Sequence, residues 1–220
     1  MRTPRYSACV QKAGLYALLA ILGFALLFAF LPTGGVAAQT GATLSGVQLR
    51  LYPSSDQDAV WKFGAATVSS DPVANETLLK GISGGQRLIR IRDKAGKLTG
   101  EETLDARLAT QELTIDGEDN MTTRQARITL VKECADIDLT GKDAEPVKIE
   151  QGYGFTAPVA EIQSPFLSGH AEKLRMSFRF DLDDMDNDRS VTEINQSPKN
   201  ICRGGRLVPN PKAAAPSKES

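Results

Sequence analysis

Histidine is nearly missing from this chain of 220 residues, where His170 is the one copy. A multi-histidine metal centre and a histidine-centred catalytic triad therefore lack their parts. An excess of charge is missing too. With 26 Lys+Arg against 27 Asp+Glu, a net charge of −1 gives no bulk attraction for nucleic acid, whose binding rests on phosphate neutralisation. There is no G-x-S-x-G nucleophile elbow, and Gly81-Ile82-Ser83-Gly84-Gly85 lacks the lysine and helix of a phosphate loop. Without a nucleophile–base pair, the chain reads as a non-enzyme with no cofactor. A hydrophobic share of 41% is too high for a disordered chain and too low for a multi-span membrane protein.

Long apolar runs are confined to one place. Arg2, Arg5 and Lys12 precede an uncharged stretch from Ala13 to Leu31, followed by Pro32-Thr33-Gly34-Gly35 and Val36-Ala37-Ala38. A basic start, an apolar run and small residues at −3 and −1 describe a secretory signal peptide cut after Ala38. The alternative is a retained inner-membrane anchor, since the run is just long enough to span a bilayer. Both put the chain from residue 39 onward in the periplasm or cell envelope. Setting residues 1–38 aside removes three basic residues and Cys9, which leaves 23 Lys+Arg against 27 Asp+Glu. Cys134 and Cys202 remain. In an oxidising compartment this even pair is expected to be bridged, the alternative being two free thiols.

The rest of the chain alternates. Val47, Leu49 and Leu51 alternate with polar residues, as do Trp61, Phe63 and Ala65, and Leu104, Ala106 and Leu108. So do Ala126, Ile128 and Leu130, then Ala135, Ile137 and Leu139, and the series Leu174, Met176, Phe178, Phe180 and Leu182. Leu113 and Ile115 flank Thr114, and Val147 and Ile149 flank Lys148. Period two is the mark of strands with one dry and one wet face. Turn signals separate them at Pro53-Ser54-Ser55-Asp56, Asp71-Pro72, Ser83-Gly84-Gly85, residues 116–120 and Gly141-Lys142-Asp143. No apolar stripe of helical period follows residue 39. The expectation is an all-β domain over 39–182, then an acidic loop and disordered tail over 183–220. Its dry face needs a cover: another sheet, the sheet itself, or a ligand.

The hairpin from Leu104 to Asp116, its polar turn and the returning strand Asn120–Leu130, with the opening strand Trp61–Val68, resemble the OstA-like lipopolysaccharide transport family (LptC, LptA and the N-terminal domain of LptD). The resemblance covers about residues 44–165. It implies a rolled β-jellyroll of short antiparallel strands, preceded by one N-terminal apolar helix. It further implies an apolar groove that carries an amphipathic envelope lipid, contact with the inner membrane, and neighbouring Lpt-like jellyrolls joined by edge-strand pairing. On that reading the dry-face residues Trp61, Phe63, Leu113, Ile115, Ile128, Leu130, Phe155 and Met176 line the lipid groove. The competing reading is a secreted structural or adhesive β-domain in which the same residues form a closed core with no ligand, because alternation reports burial and not what fills the inside.

Two further stretches stand out. Asp184, Asp186 and Asp188 have the 1-3-5 spacing of a calcium loop, but Arg189 stands where glycine makes its turn and Asn195 where a bidentate glutamate is needed. A solvated acidic loop is the plainer reading. Gly152-Tyr153-Gly154-Phe155 reads as a sheet corner, or as a lip of the groove with Tyr153 and Phe155 exposed.

Overall fold

Period-two alternation becomes strand over most of the computed structural model, which describes residues 16, 20–23 and 42–212. The strands are β1 (Thr43–Leu51), β2 (Ala59–Asp71), β3 (Glu76–Arg92), β4 (Leu98–Ala109), β5 (Glu112–Ile115), β6 (Met121–Thr123), β7 (Gln125–Leu130) and β8 (Ala135–Thr140). They continue as β9 (Val147–Glu150), β10 (Gly154–Gln163), β11 (Leu167–Ser177), β12 (Leu182–Asp184), β13 (Val191–Ile194), β14 (Asn200–Arg203) and β15 (Arg206–Pro209). The all-β class is thus as expected. Residues 16 and 20–23 form a separate helical unit, and no helix among the described residues is long and apolar enough to cross a membrane. The cleavage site after Ala38, most of the apolar run and residues 213–220 lie outside the described residues.

Every pairing in the main sheet is antiparallel, and β3, β4, β7, β8, β10, β9, β6 and β5 close a ring, a barrel by connectivity. The registers show how it closes. β2 occupies one edge of β3 from Glu76 to Ile89. The other edge is shared: Thr77–Lys80 faces β5 and Gly85–Arg92 faces β4. β10 does the same, with Gly154–Thr156 facing β9 and Val159–Gln163 facing β8. The ring is therefore one meander whose strands each turn a corner midway. β4 runs into β5, β6 into β7 and β8 into β9. One wall holds β4, β7 and β8, and the other holds β5, β6 and β9.

Side-chain parity changes at the β4–β5 and β6–β7 corners. Ala106 and Leu108 point inward before it and Leu113 after it; Met121 points inward before it and Ala126 and Ile128 after it. An odd shift of this kind is what a bulge does, and it keeps both walls' apolar faces on the inside. A corner frees backbone groups from the ladder, and threonine hydroxyls take them up. Thr110 Oγ1 donates to the Gln125 carbonyl at 2.7 Å, and Thr123 Oγ1 donates to the Glu112 carbonyl at 2.7 Å. On β3 the corner falls at Ser83-Gly84, with Gly81 and Gly84 both at φ 62°. The turn expected at Ser83-Gly84-Gly85 is corrected: left-handed glycines here bend one long strand and do not end it.

Two other expectations change. The series Leu174–Leu182 is not one strand, because Phe180 adopts φ 65° and the chain turns between β11 and β12. The tail is not loose from residue 183. β12 and β13 pair with β11, and β14–β15 forms a hairpin held by the Cys134–Cys202 disulfide. The disulfide fits the oxidising, extracytoplasmic setting inferred for Cys134 and Cys202.

Replacing Thr110 and Thr123 by valine leaves the Gln125 and Glu112 carbonyls short of these donors. Each variant is expected to lose about 1–2 kcal/mol of stability in urea titration.

Candidate functional site

The folded meander has one apolar interior. Trp61, Phe63, Leu113, Ile128, Leu130, Phe155 and Met176 are all 0–1% exposed and belong to it, and half-buried Ile115 packs against it. The structure thus brings all eight proposed groove residues together. Leu79, Met121, Ile137, Ile149 and Ile162 join them with equal burial. These last lie on the same period-two faces, so the sequence carried their signal as well. The interior is filled by its own side chains, and Phe155 is buried, which corrects the reading of it as an exposed lip residue.

Opposite the corner line, the free ends of the two walls meet. Trp61 on β2 and Gln151 after β9 are four strand steps apart in the sheet, roughly 19 Å if it were flat. Yet Trp61 Nε1 donates to Gln151 Oε1 at 2.9 Å. Gln151 Nε2 donates to the Asp119 carbonyl at 3.0 Å, and its backbone N–H reaches Asn120 Oδ1 at 3.1 Å. The Ser54 N–H reaches Asp119 Oδ2 at 3.2 Å, from the β1–β2 loop to the β5–β6 turn. Phe178, just past β11, sets its ring edge-on to Trp61 at 5.9 Å and to Phe155 at 5.8 Å. The Arg87 guanidinium lies over the Phe178 ring at 4.2 Å.

Arg87 is buried and paired with Asp105 and, at 2.5 Å, with Asp56, and Lys132 Nζ reaches Asp105 at 3.2 Å. A buried cation is tolerable only when neutralised in this way. The two walls are thus continuous through the backbone at the corners of β3 and β10. At the opposite seam the polar contacts run through side chains and loops. Arg87 and Gln151 were not legible beforehand: each is a polar residue at a strand position or turn, and burial at the seam depends on the folding of the sheet.

Nearby, partial burial raises the Glu133 carboxyl above its ordinary value, and Asp105 adds to the rise. Burial also raises the Tyr153 phenol, whose hydroxyl meets Asp183 while Arg175 covers its ring at 4.3 Å. His170 Nδ1 sits 2.7 Å from Glu161 Oε1, its register partner across β10–β11, on a half-exposed face away from the seam.

The calcium candidates do not converge. Asp184 stands opposite Arg175 on β12, Asp186 pairs with Lys173 at 3.3 Å, and the Asp188 N–H bonds back to Asp186 Oδ1. Among the described residues no cluster of His, Cys, Asp or Glu could hold a metal. An open cleft of about 1350 Å³ lies along the corner line, lined by Thr110, Thr123, Arg124, Arg127, Asp138 and Lys142 among others. Its wall is about half apolar, with Ala126 and Leu139 beside the pairs Arg124–Asp143 and Arg127–Asp138. No protein-family model matches the chain, and no curated protein matches it.

Two outcomes follow from the seam. Gln151→Ala leaves the buried Trp61 N–H without its acceptor, an expected loss of about 1–3 kcal/mol in urea titration with a blue shift of the single tryptophan's emission reporting the altered site. Glu133 binds its proton more tightly folded than unfolded, so ionising it costs stability as pH rises through the raised value. Glu133→Gln is therefore expected to raise Tm at pH 7, and the advantage disappears below the ordinary glutamate range, where both states are protonated.

Proposed function

We propose that this chain is an extracytoplasmic lipid carrier: an OstA-like rolled β-jellyroll that takes the acyl chains of a lipopolysaccharide-type lipid between its two walls. The observation that carries the reading is the folded meander itself. It has one continuous apolar interior, a backbone hinge on one side, and a seam of side-chain contacts on the other. Acyl chains gain roughly 25 cal/mol per Å² of apolar surface buried, and an interior of Trp, Phe, Leu, Ile and Met offers that surface along its whole length. The polar headgroup of such a lipid stays in water at the seam, beside the charge-balanced cluster of Arg87, Lys132, Asp105 and Asp56. A neighbouring jellyroll that adds its edge strand to this sheet extends the interior into a bridge.

The full burial of Trp61, Phe63 and Phe155 favours a second reading, a structural or adhesive domain with a permanently closed core. A locked seam separates the two. In the Ser54→Cys/Asp119→Cys protein, a new disulfide ties the β1–β2 loop to the β5–β6 turn while the walls and interior stay intact. The wild type is expected to bind fluorescent lipid A. The locked protein should bind at least tenfold more weakly and recover in mild reductant, with the wild type in the same reductant as control. The absence of binding by wild type and locked protein alike overturns the carrier reading in favour of the closed core.

A further inference from the structure

The two edges of the folded meander are built differently. The edge at β11 is sealed along its length. Leu167–His170 pairs with β13, and Arg175 and Met176 face β12. Between them the Glu172 carbonyl accepts the Asp186 N–H at 2.8 Å, and the Glu172 N–H reaches Ser190 Oγ at 3.0 Å. The Ser177 N–H ends the series on the Asp181 carbonyl at 2.9 Å. The outermost strand there, β13, is four residues long and carries Glu193, with Asp183, Asp184 and Asp188 in the same segment. Shortness and charge are the ordinary means by which a sheet refuses another strand.

The edge at β1 is the reverse. It is nine residues long and, among the described residues, pairs with β2 alone. It holds no proline and no lysine, and its one charge, Arg50, is neutralised by Glu102 at 2.5 Å. Its inward side chains Val47, Leu49 and Leu51 are only partly buried, and Leu44, in register with buried Val68, is 55% exposed. One more strand would cover all four.

We propose that β1 is the pairing edge for a second copy of this chain, with the two β1 strands antiparallel about a two-fold axis. Because one edge is open and the other sealed, self-pairing closes at two copies; a head-to-tail filament would need both edges. A second copy is the fitting occupant because β1 bends. Gly46, at φ 64° and absent from the β1–β2 register, is this strand's own corner. An added strand must bend at the same place to follow both walls. An antiparallel mate centred between Ser45 and Gly46 sets corner beside corner, puts inward Leu44 opposite the partner's inward Val47, and continues each wall of one copy into the opposite wall of the other. That alignment places each Arg50 beyond the partner's Thr43, so like charges do not face each other. The inference is independent of any lipid in the interior.

Sedimentation velocity of the full chain in density-matched non-ionic detergent reads the outcome. The expected mass is that of two chains. Consecutive residues point their N–H groups to opposite edges of a strand, so one of Val47→Pro and Gln48→Pro blocks the outer edge and spares the β2 ladder. Far-UV circular dichroism identifies that variant, which is expected to sediment as one chain. Leu44→Lys keeps an exposed position exposed in the single chain and should raise the dissociation constant at least tenfold. Val191→Lys on β13 should leave the two-chain mass unchanged. A wild type of one chain, a mass that grows without limit with concentration, or a folded proline variant that stays two-chain would each overturn the proposal.

Discussion

A broad antiparallel sheet with one apolar face cannot leave that face in water, and no helix among the described residues of the β body is available to cover it. The sheet covers itself. Each long strand bends once, the bends line up across neighbouring strands, and the face closes on its own other half. The rest depends on this one manoeuvre. It sets the parity shift between Leu108 and Leu113, the left-handed glycines of β3, and the ring in which β3 and β10 each serve two strands on one edge.

Bending a sheet across its strands has a cost that folding two separate sheets avoids. Hydrogen bonds are lost at the corner, in a place where backbone carbonyls are still crowded by neighbouring strands. Thr110 and Thr123 meet that cost from the side-chain end; their hydroxyls lie 2.9 Å apart and between them serve the Glu112 and Gln125 carbonyls. Threonine suits the position twice over. It is a good strand residue, so the chain stays extended on either side, and it carries a short donor that reaches a carbonyl two residues away. A serine would lack the first property and a valine the second.

The strand content was legible because period two reports a dry face wherever the strand lies. Trp61, Phe63, Ile128 and Leu130 are inside for the reason their spacing announced. What the alternation could not carry was the strand's continuity through a corner. Ser83-Gly84-Gly85 has the composition of a turn, and only the pairing of β3 with β4 and β5 on one edge shows that the strand goes on. The opposite error occurs at Leu174–Leu182, where perfect alternation hides the left-handed Phe180. Arg87 and Gln151 were hidden for a different reason. Their burial is created by contact between strand ends that are distant in both sequence and sheet order, so no local pattern marks them. The acidic run shows the same limit. Its spacing suggested a cation, whereas its backbone is spent on closing the β11 edge.

The two joints of the fold differ in kind, and this decides how it could open. Across the corner line the walls share β3 and β10, so separation there means breaking strands. Across the seam the polar links are a few hydrogen bonds and the stacked Arg87 and Phe178. Hydrogen bonds of this sort contribute about 0.5–1.5 kcal/mol each net of solvation. They are not what keeps the walls together. The apolar interior does that, at roughly 25 cal/mol per Å² of buried area. Opening to water forfeits that area on both walls, but opening to an acyl chain forfeits almost none of it, since hydrocarbon replaces hydrocarbon. A roll with a strong interior and a weak polar seam is therefore shut against water, and on the proposed carrier reading it exchanges its own opposing wall for a guest. On the carrier reading proposed above, the same interior that makes a closed core stable admits an acyl chain because hydrocarbon replaces hydrocarbon.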